Sequence, residues 1–330
     1  MSGVVRRQKA EGRRQKLKLL EEIQQYLRQF FKKNATFIIA VSGGVDSMAL
    51  LHCLSQISKY HYIVVSIDHS IRQDSKDDIA LVKKAAQKYK IPFHSKKVTV
   101  PTLAKQQRKG LEEAARDIRY QVLQKYQKKY QAAAIITAHH QDDQLETILF
   151  HLIRGSDIQG LVGMEMLNKQ QIFRPLLTTA KKDIIAYAQK HQLQWREDST
   201  NRDTTLSRNF IRHNLLPHFP RELIIQLSNQ AKTGIATFDQ FIENWLRDHL
   251  NKDDDQLYFK RQDFFALPIY LQFYLLQHIT KHYFRLRDLS FSWLSSVYQW
   301  ITQSKSSSRY RYRNKLLLKH KLSKIYLVKD

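Results

Sequence analysis

Thr36-Phe37-Ile38-Ile39-Ala40-Val41-Ser42-Gly43-Gly44-Val45-Asp46-Ser47 is the stretch that decides the fold. Its first six residues form a short β-prone apolar run, and Met48 to Leu54 beyond it is apolar at helical spacing. The pattern predicts strand, tight loop, helix. In such a unit the backbone N–H groups at the helix start, together with the positive helix end, can cradle a phosphate, and Gly43 and Gly44 let it approach closely. Ser42, Gly43, Gly44, Val45, Asp46 and Ser47 are therefore nucleotide-binding candidates, with Asp46 able to hold Mg²⁺ or a water of its shell. No lysine follows the glycines as it does in GxxxxGK[ST], so the grip on the β and γ phosphates must differ from that of P-loop NTPases.

Outward from this stretch the pattern repeats. Strand candidates at 62–67, 92–98 and 132–137 alternate with helical stretches at about 74–90, 111–130 and 142–153. Alternation of this kind predicts an α/β fold, a parallel sheet with helices on both faces and ligands at the carboxyl ends of the strands. Polar clusters follow three of those strand ends: Ser42 to Ser47, Asp68 to Arg72, and His139 to Asp143. Glycine placement agrees: there are nine glycines and none beyond Gly234, which puts ligand-binding loops in the first half.

The periodicity divides the chain into a basic amphipathic helix at 1–33, an α/β catalytic domain at 34–217, a helical domain at 218–303 and a basic β-like tail at 304–330. After Pro175 the α/β pattern decays, and 196–217 reads as a polar connector. Arg309-Tyr310-Arg311-Tyr312-Arg313 alternates basic and aromatic residues at strand period.

Charge narrows the partners. Fifty-five Lys and Arg against 30 Asp and Glu give a net charge of +25, which calls for a polyanion, nucleic acid ahead of a membrane surface. Apolar runs fall far short of the roughly 20 residues of a membrane-spanning helix, and the basic N-terminus lacks the apolar core of a secretory signal. The single cysteine, Cys53, excludes an intrachain disulfide and a cysteine zinc cluster. A cytoplasmic location is expected.

Other residues carry chemistry by type and spacing. Asp143 and Glu146 share a helix face at i, i+3, where paired carboxylates can hold an ammonium group or Mg²⁺ and accept a proton. Asp142 alone suits the acidic start of a helix. His139 and His140 end the adjacent strand and can contact phosphate, His139 being the stronger candidate. Arg116 and Arg119 can neutralise phosphate or nucleotide charge, Arg116 first, although Glu112 and Glu113 offer them ordinary helix salt bridges. Arg208 and Arg212, at i, i+4, can close over the nucleotide or grip a polynucleotide.

The Ser42–Ser47 loop resembles that of the PP-loop ATP pyrophosphatase superfamily, in which an SGGxDS loop binds ATP for cleavage between the α and β phosphates. Further motifs resemble one branch of it, the tRNA(Ile)-lysidine synthetases: Asp68-His69-Ser70-Ile71-Arg72, Gly110 to Tyr120, Thr137 to Thr147, Arg154-Gly155-Ser156, Gly160 to Met164, Arg174-Pro175-Leu176-Leu177, Asp198-Ser199-Thr200-Asn201 and Arg208 to Arg212. The likeness covers about 36–217. It departs at Asp157, where a small residue is expected, and in a shorter C-terminal part. It implies a ligase that uses ATP and Mg²⁺ to join free L-lysine to C2 of the wobble cytidine of the CAU-anticodon isoleucine tRNA. It also implies Asp143 and Glu146 as lysine-binding acids, Asp46 and Asp143 as metal ligands, and Ser66, Asp68 and His69 at the nucleobase and ribose. Asp46, Arg116, His139, Asp143 and Glu146 form the implied catalytic set; Arg119, Arg208 and Arg212 are the implied tRNA or phosphate contacts. A homodimer is left open.

The rival within the superfamily is a tRNA-thiolating enzyme, which needs cysteines that carry sulfur, and Cys53 on an apolar helix face is poor equipment for that. An amidotransferase would need a glutaminase nucleophile, and a non-enzymatic RNA-binding protein would need neither the loop nor the acids.

Overall fold

The computed structural model describes residues 19–68, 75–98, 110–154, 156, 158–196, 210–254, 256–284, 286, 291–312 and 316–329. Two compact units divide after Ser228. His69, Arg208, the Asp198–Asn201 motif and the first eighteen residues of the basic N-terminal segment lie outside the described residues.

In the first unit residues 19–30 form helix α1. The order continues β1 (Thr36–Ala40), α2 (Val45–Ser55), β2 (His61–Asp68), α3 (Ser75–Lys88), β3 (Phe93–Lys97), α4 (Leu111–Lys129), β4 (Ala134–Ile136) and α5 (Gln141–Ile153). Each predicted strand and helix of the α/β pattern is present within a few residues. The sheet order is β3-β2-β1-β4-β5, with every pairing parallel, and Ile38 stands between Ile63 and Ile135 in register. Strand β1 is apolar throughout because both of its faces are covered. Phe37 and Ile39 join Leu50, Leu54, Val82 and Ile184 on one side, while Ile38 joins Val65, Leu123 and Ile135 on the other.

Beyond Pro175 the structure departs from the expected connector. After the short α6 (Ile158–Val162) and the two-residue β5 (Ile172–Phe173) comes helix α7 (Lys181–Lys190), which buries Ile184, Tyr187 and Ala188. Only three buried residues in ten, behind a Lys-Lys start, left its periodicity too weak to read.

The unit boundary lies eleven residues beyond the predicted end at 217. A π-helical turn (Ile211–Leu215) and a 3-10 turn (Leu216–His218) lead into the 29-residue helix α8 (Arg221–His249). The first turns of α8 belong to the first unit by packing: Ile224 clusters with Leu145, Ile148, Leu149, Ile211 and Leu216, and the Ser228 hydroxyl donates to the Val162 carbonyl at 3.3 Å.

The second unit holds the rest of α8, β6 (Asn251–Asp253), β7 (Gln256–Lys260), α9 (Arg261–Phe265), α10 (Ile269–His282), α11 (Phe291–Gln303), β8 (Arg309–Tyr312), β9 (Leu316–Lys321) and β10 (Lys324–Lys329). The β tail is there, but its strands complete an antiparallel sheet of order β6-β7-β10-β9-β8 that also takes in the 251–260 hairpin, read from sequence as helical. That hairpin escaped notice because β6 is exposed along its length and carries no apolar alternation. The inner sheet face packs Phe259, Leu316, Leu318, Ile325 and Leu327 against Trp245, Ile279 and Trp293. Most of the ten aromatics read from sequence as a helical-domain core contribute to this cluster.

Candidate active site

Strand ends and helix starts build the site at the carboxyl edge of the parallel sheet. Between β1 and α2 the backbone turns through Gly43 at φ +90°, a left-handed conformation that a side chain rarely adopts, and a Cβ there would sit 3.5 Å from Asp78. Gly44 precedes the helix with no side-chain cap. The loop is tied from within: Ser47 Oγ donates to the Gly44 carbonyl at 2.9 Å and accepts from the Ser42 N–H at 3.2 Å. An uncapped helix start with a glycine at its mouth leaves backbone N–H groups for an anion.

A strap that the sequence did not reveal crosses this loop. The Arg196 N–H donates to the Gly43 carbonyl at 3.0 Å, and its guanidinium pairs with Asp77 at 2.9 Å and Asp78 at 3.0 Å in the first turn of α3. Its place in a polar connector gave no signal of this.

Asp46 lies in the first turn of α2, with both carboxylate oxygens 2.6 Å from Lys181 Nζ at the start of α7. His140 joins this pair to the second helix start. It is the N-cap of α5: its Nδ1 accepts from the Asp142 N–H at 3.2 Å, while its own N–H donates to Asp143 Oδ2 at 2.9 Å. With Nδ1 accepting, the neutral ring carries its proton on Nε2, which lies 3.7 Å from Asp46 and 3.5 Å from Asp143. His140, the weaker histidine candidate by sequence, is thus the bridge between the loop and the acids.

The expected i, i+3 pair is present. Glu146 is buried at 2% exposure and receives Arg212 Nε at 2.5 Å and Nη2 at 3.1 Å; the same Nη2 reaches Asp143 Oδ1 at 3.3 Å. A carboxylate that deep would be costly without its cation. Burial opposes the Arg212 charge, yet Glu146, Asp143 and Asp142 together hold its guanidinium above its ordinary range. Asp142 pairs with Arg221 at 2.6 Å, and so has its own structural duty.

His139 bonds to Thr137 Oγ1 at 2.8 Å. Burial pushes its imidazole far below the ordinary value; Asp143 opposes the shift, and Arg174, Arg116 and Arg119 reinforce it. Both expected arginines of α4 therefore stand within electrostatic reach of His139. Arg116 lies over the Tyr120 ring at 5.8 Å, and Arg174 donates to the Glu165 carbonyl at 2.8 Å, bracing its loop as expected. Ser66 is buried at the end of β2 and Asp68 closes that strand.

A divalent cation has oxygen donors here in Asp46 and Asp143. Among the described residues no three His, Cys, Asp or Glu side chains gather as a metal cage. The donor set suits Mg²⁺, which commonly takes one or two carboxylates and completes its shell with water and substrate phosphate.

The PP-loop domain model matches residues 15–219. The tRNA(Ile)-lysidine synthase of Thermosipho africanus is 35% identical over 254 residues, 76% of this chain and 58% of that protein. Its namesake from Thermotoga maritima is 38% identical over 183 residues, 54% of this chain and 44% of that protein. The chain spans about half the length of these relatives. Among solved structures, the U34-tRNA thiolase NcsA of Methanococcus maripaludis superposes with a TM-score of 0.55 at 17% identity, covering 66% of this chain and 78% of that one, a likeness of fold. By its loop, its sheet and the match across most of its length, the chain belongs to the PP-loop domain family.

Proposed function

We propose that the chain is a tRNA(Ile)-lysidine synthase, binding ATP at the Ser42–Ser47 loop and using it to join free lysine to the wobble cytidine of the CAU-anticodon isoleucine tRNA. The observation that carries this is the pair of acids at the start of α5, linked through His140 to Asp46 of the phosphate loop and bridged by the guanidinium of Arg212. A primary ammonium has the charge and the donors to take the guanidinium's place, so Asp143 and Glu146 are suited to hold the lysine side chain beside the triphosphate. The names of the relatives at 35% and 38% identity support the same substrate.

The cytosine C2 carbonyl is a poor electrophile. Its oxygen attacks the α phosphorus of ATP and pyrophosphate leaves; the ε-amine of lysine then attacks C2, and AMP leaves with the oxygen. An ammonium group has no lone pair, so one proton must first pass to a base, and the Asp143–Glu146 pair lies where that proton would go. Mg²⁺ held by Asp46 and Asp143 would supply charge neutralisation at the pyrophosphate. His139, neutral in its arginine surroundings, offers a hydrogen bond without adding charge. Arg116 and Arg119 supply positive charge for the nucleotide, and Ser66 and Asp68 flank the position that the fold gives its base and ribose.

The second unit supplies the polyanion grip. Alternation places Arg309, Arg311, Lys319, Lys321, Lys324 and Lys260 on the sheet face opposite the apolar core, with Tyr258 and Tyr326 between them, ring centres 5.2 Å apart. Basic side chains interleaved with rings suit phosphates and exposed bases.

The test is incubation with [α-³²P]ATP, labelled lysine and an in-vitro transcript of the isoleucine tRNA. Lysine-dependent label in the tRNA, with AMP formed, is the expected result. AMP formed with tRNA but no lysine incorporated would overturn the choice of nucleophile and move it toward sulfur.

A further inference from the structure

We propose that Lys181 is a pyrophosphate-binding residue, supplying from α7 the charge that the phosphate loop itself lacks. The proposal rests on the ATP-binding part of the function above, and on neither its tRNA nor its lysine.

The Ser42–Ser47 loop carries no lysine. In the P-loop the lysine that follows the glycines reaches the β and γ phosphates; here the cation beside the loop comes from 135 positions along the chain. Lys181 Nζ lies 2.6 Å from both oxygens of Asp46, a residue in the first turn of the phosphate-facing helix. An ammonium has three donors, so two bonds to Asp46 leave one for a phosphate oxygen. The side chain is 32% exposed and Asp46 24%, so solvent and a ligand can reach the pair.

Lys181 also occupies an unfavourable place for a merely structural cation. It is the first residue of α7, directly after the N-cap Ala180, where the helix dipole disfavours positive charge. Ala180 provides no side-chain cap there either. The site holds a cation against the local dipole and spends it on a carboxylate at the mouth of an anion cradle. When Mg²⁺ claims Asp46, the displaced ammonium has the β and γ oxygens as its next partners. Its positive charge then favours departure of pyrophosphate by stabilising the charge that develops on the leaving group.

A simple counter-ion to Asp46 would behave differently, and inorganic pyrophosphate separates the two. Calorimetric titration of the full chain with pyrophosphate, in EDTA to exclude metal, would be run on the wild type, Lys181→Met, Lys181→Arg and the double variant Asp46→Asn/Lys181→Met. Direct contact predicts at least tenfold weaker binding in Lys181→Met, recovery in Lys181→Arg, and binding that stays weak in the double variant. AMP, which lacks the β and γ phosphates, should bind all four alike. Restored binding in the double variant would mean that Lys181 only screens Asp46, and would overturn the proposal. So would equal loss of AMP and pyrophosphate in Lys181→Met, the mark of a damaged loop. A wild type that binds neither would instead overturn the ATP-binding function, and this proposal with it.

Discussion

His139, Asp46 and Asp143 are the residues whose environments make the sharpest claims. Burial and three arginines keep the His139 ring neutral, with a folded pKa below the ordinary 6.5. Below that value the unfolded chain takes up a proton that the folded chain refuses, so His139 costs stability as the pH falls from about 6.5 and costs nothing above it. Thermal melts from pH 7 down to pH 4 should therefore fall less steeply for His139→Gln than for the wild type, by up to about 1.4 kcal/mol per pH unit. Parallel curves would count against a buried neutral ring. Asp46→Ala and Asp143→Ala should each lower AMP formation by at least about a hundredfold, as loss of charge-stabilising groups commonly does, while tRNA retention on filters stays close to wild type. Loss of tRNA binding in both would contradict the separation of the two functions.

Among the elements, α2 and α5 matter most, since their starts carry the loop and the acids. Cys53 lies within α2, where burial pushes its thiol up to about 12. Iodoacetamide at pH 8 should leave the native protein unlabelled and label the denatured chain fully; prompt native labelling would reopen the thiolating alternative. Gly163, at φ +67°, closes the loop after α6 against Gln144 of α5, and a Cβ there would lie 2.6 Å from the Gln144 amide. That amide donates to the carbonyls of Val162 and Met164 and accepts from the Met164 N–H. Gly163→Ala should therefore destabilise by roughly 2 kcal/mol or more through strain and lost buried hydrogen bonds, read as a lower midpoint in urea.

At these two scales the sequence was legible where periodicity and loop chemistry agreed. The β1–α2 unit and the Asp143–Glu146 face were of that kind, because a doubly covered strand and an i, i+3 pair leave direct traces. Lys181, Arg196 and Arg221 left none. Each is one more basic residue among 55, and its meaning comes from a partner more than 70 positions away. The tail's alternation of Arg and Tyr was readable, but its exposed partner hairpin was not.

Across the whole molecule, the charge of +25 and the two units divide the labour. The outer sheet face of the second unit should contribute a salt-sensitive, sequence-independent share of tRNA affinity. Arg309→Glu/Arg311→Glu should weaken tRNA binding at least tenfold and make log Kd less steep in log salt by about two counter-ions, with pyrophosphate binding unchanged. An unaltered salt slope would remove that face from the interface. The central claim is the bond made to the tRNA, and the most direct measurement is mass spectrometry of the anticodon nucleosides after incubation with ATP and isotopically heavy lysine. The account predicts a wobble cytidine heavier by one lysine less one water, carrying the isotope, and formed only with the isoleucine transcript. An unmodified or sulfur-bearing position 34 would contradict it.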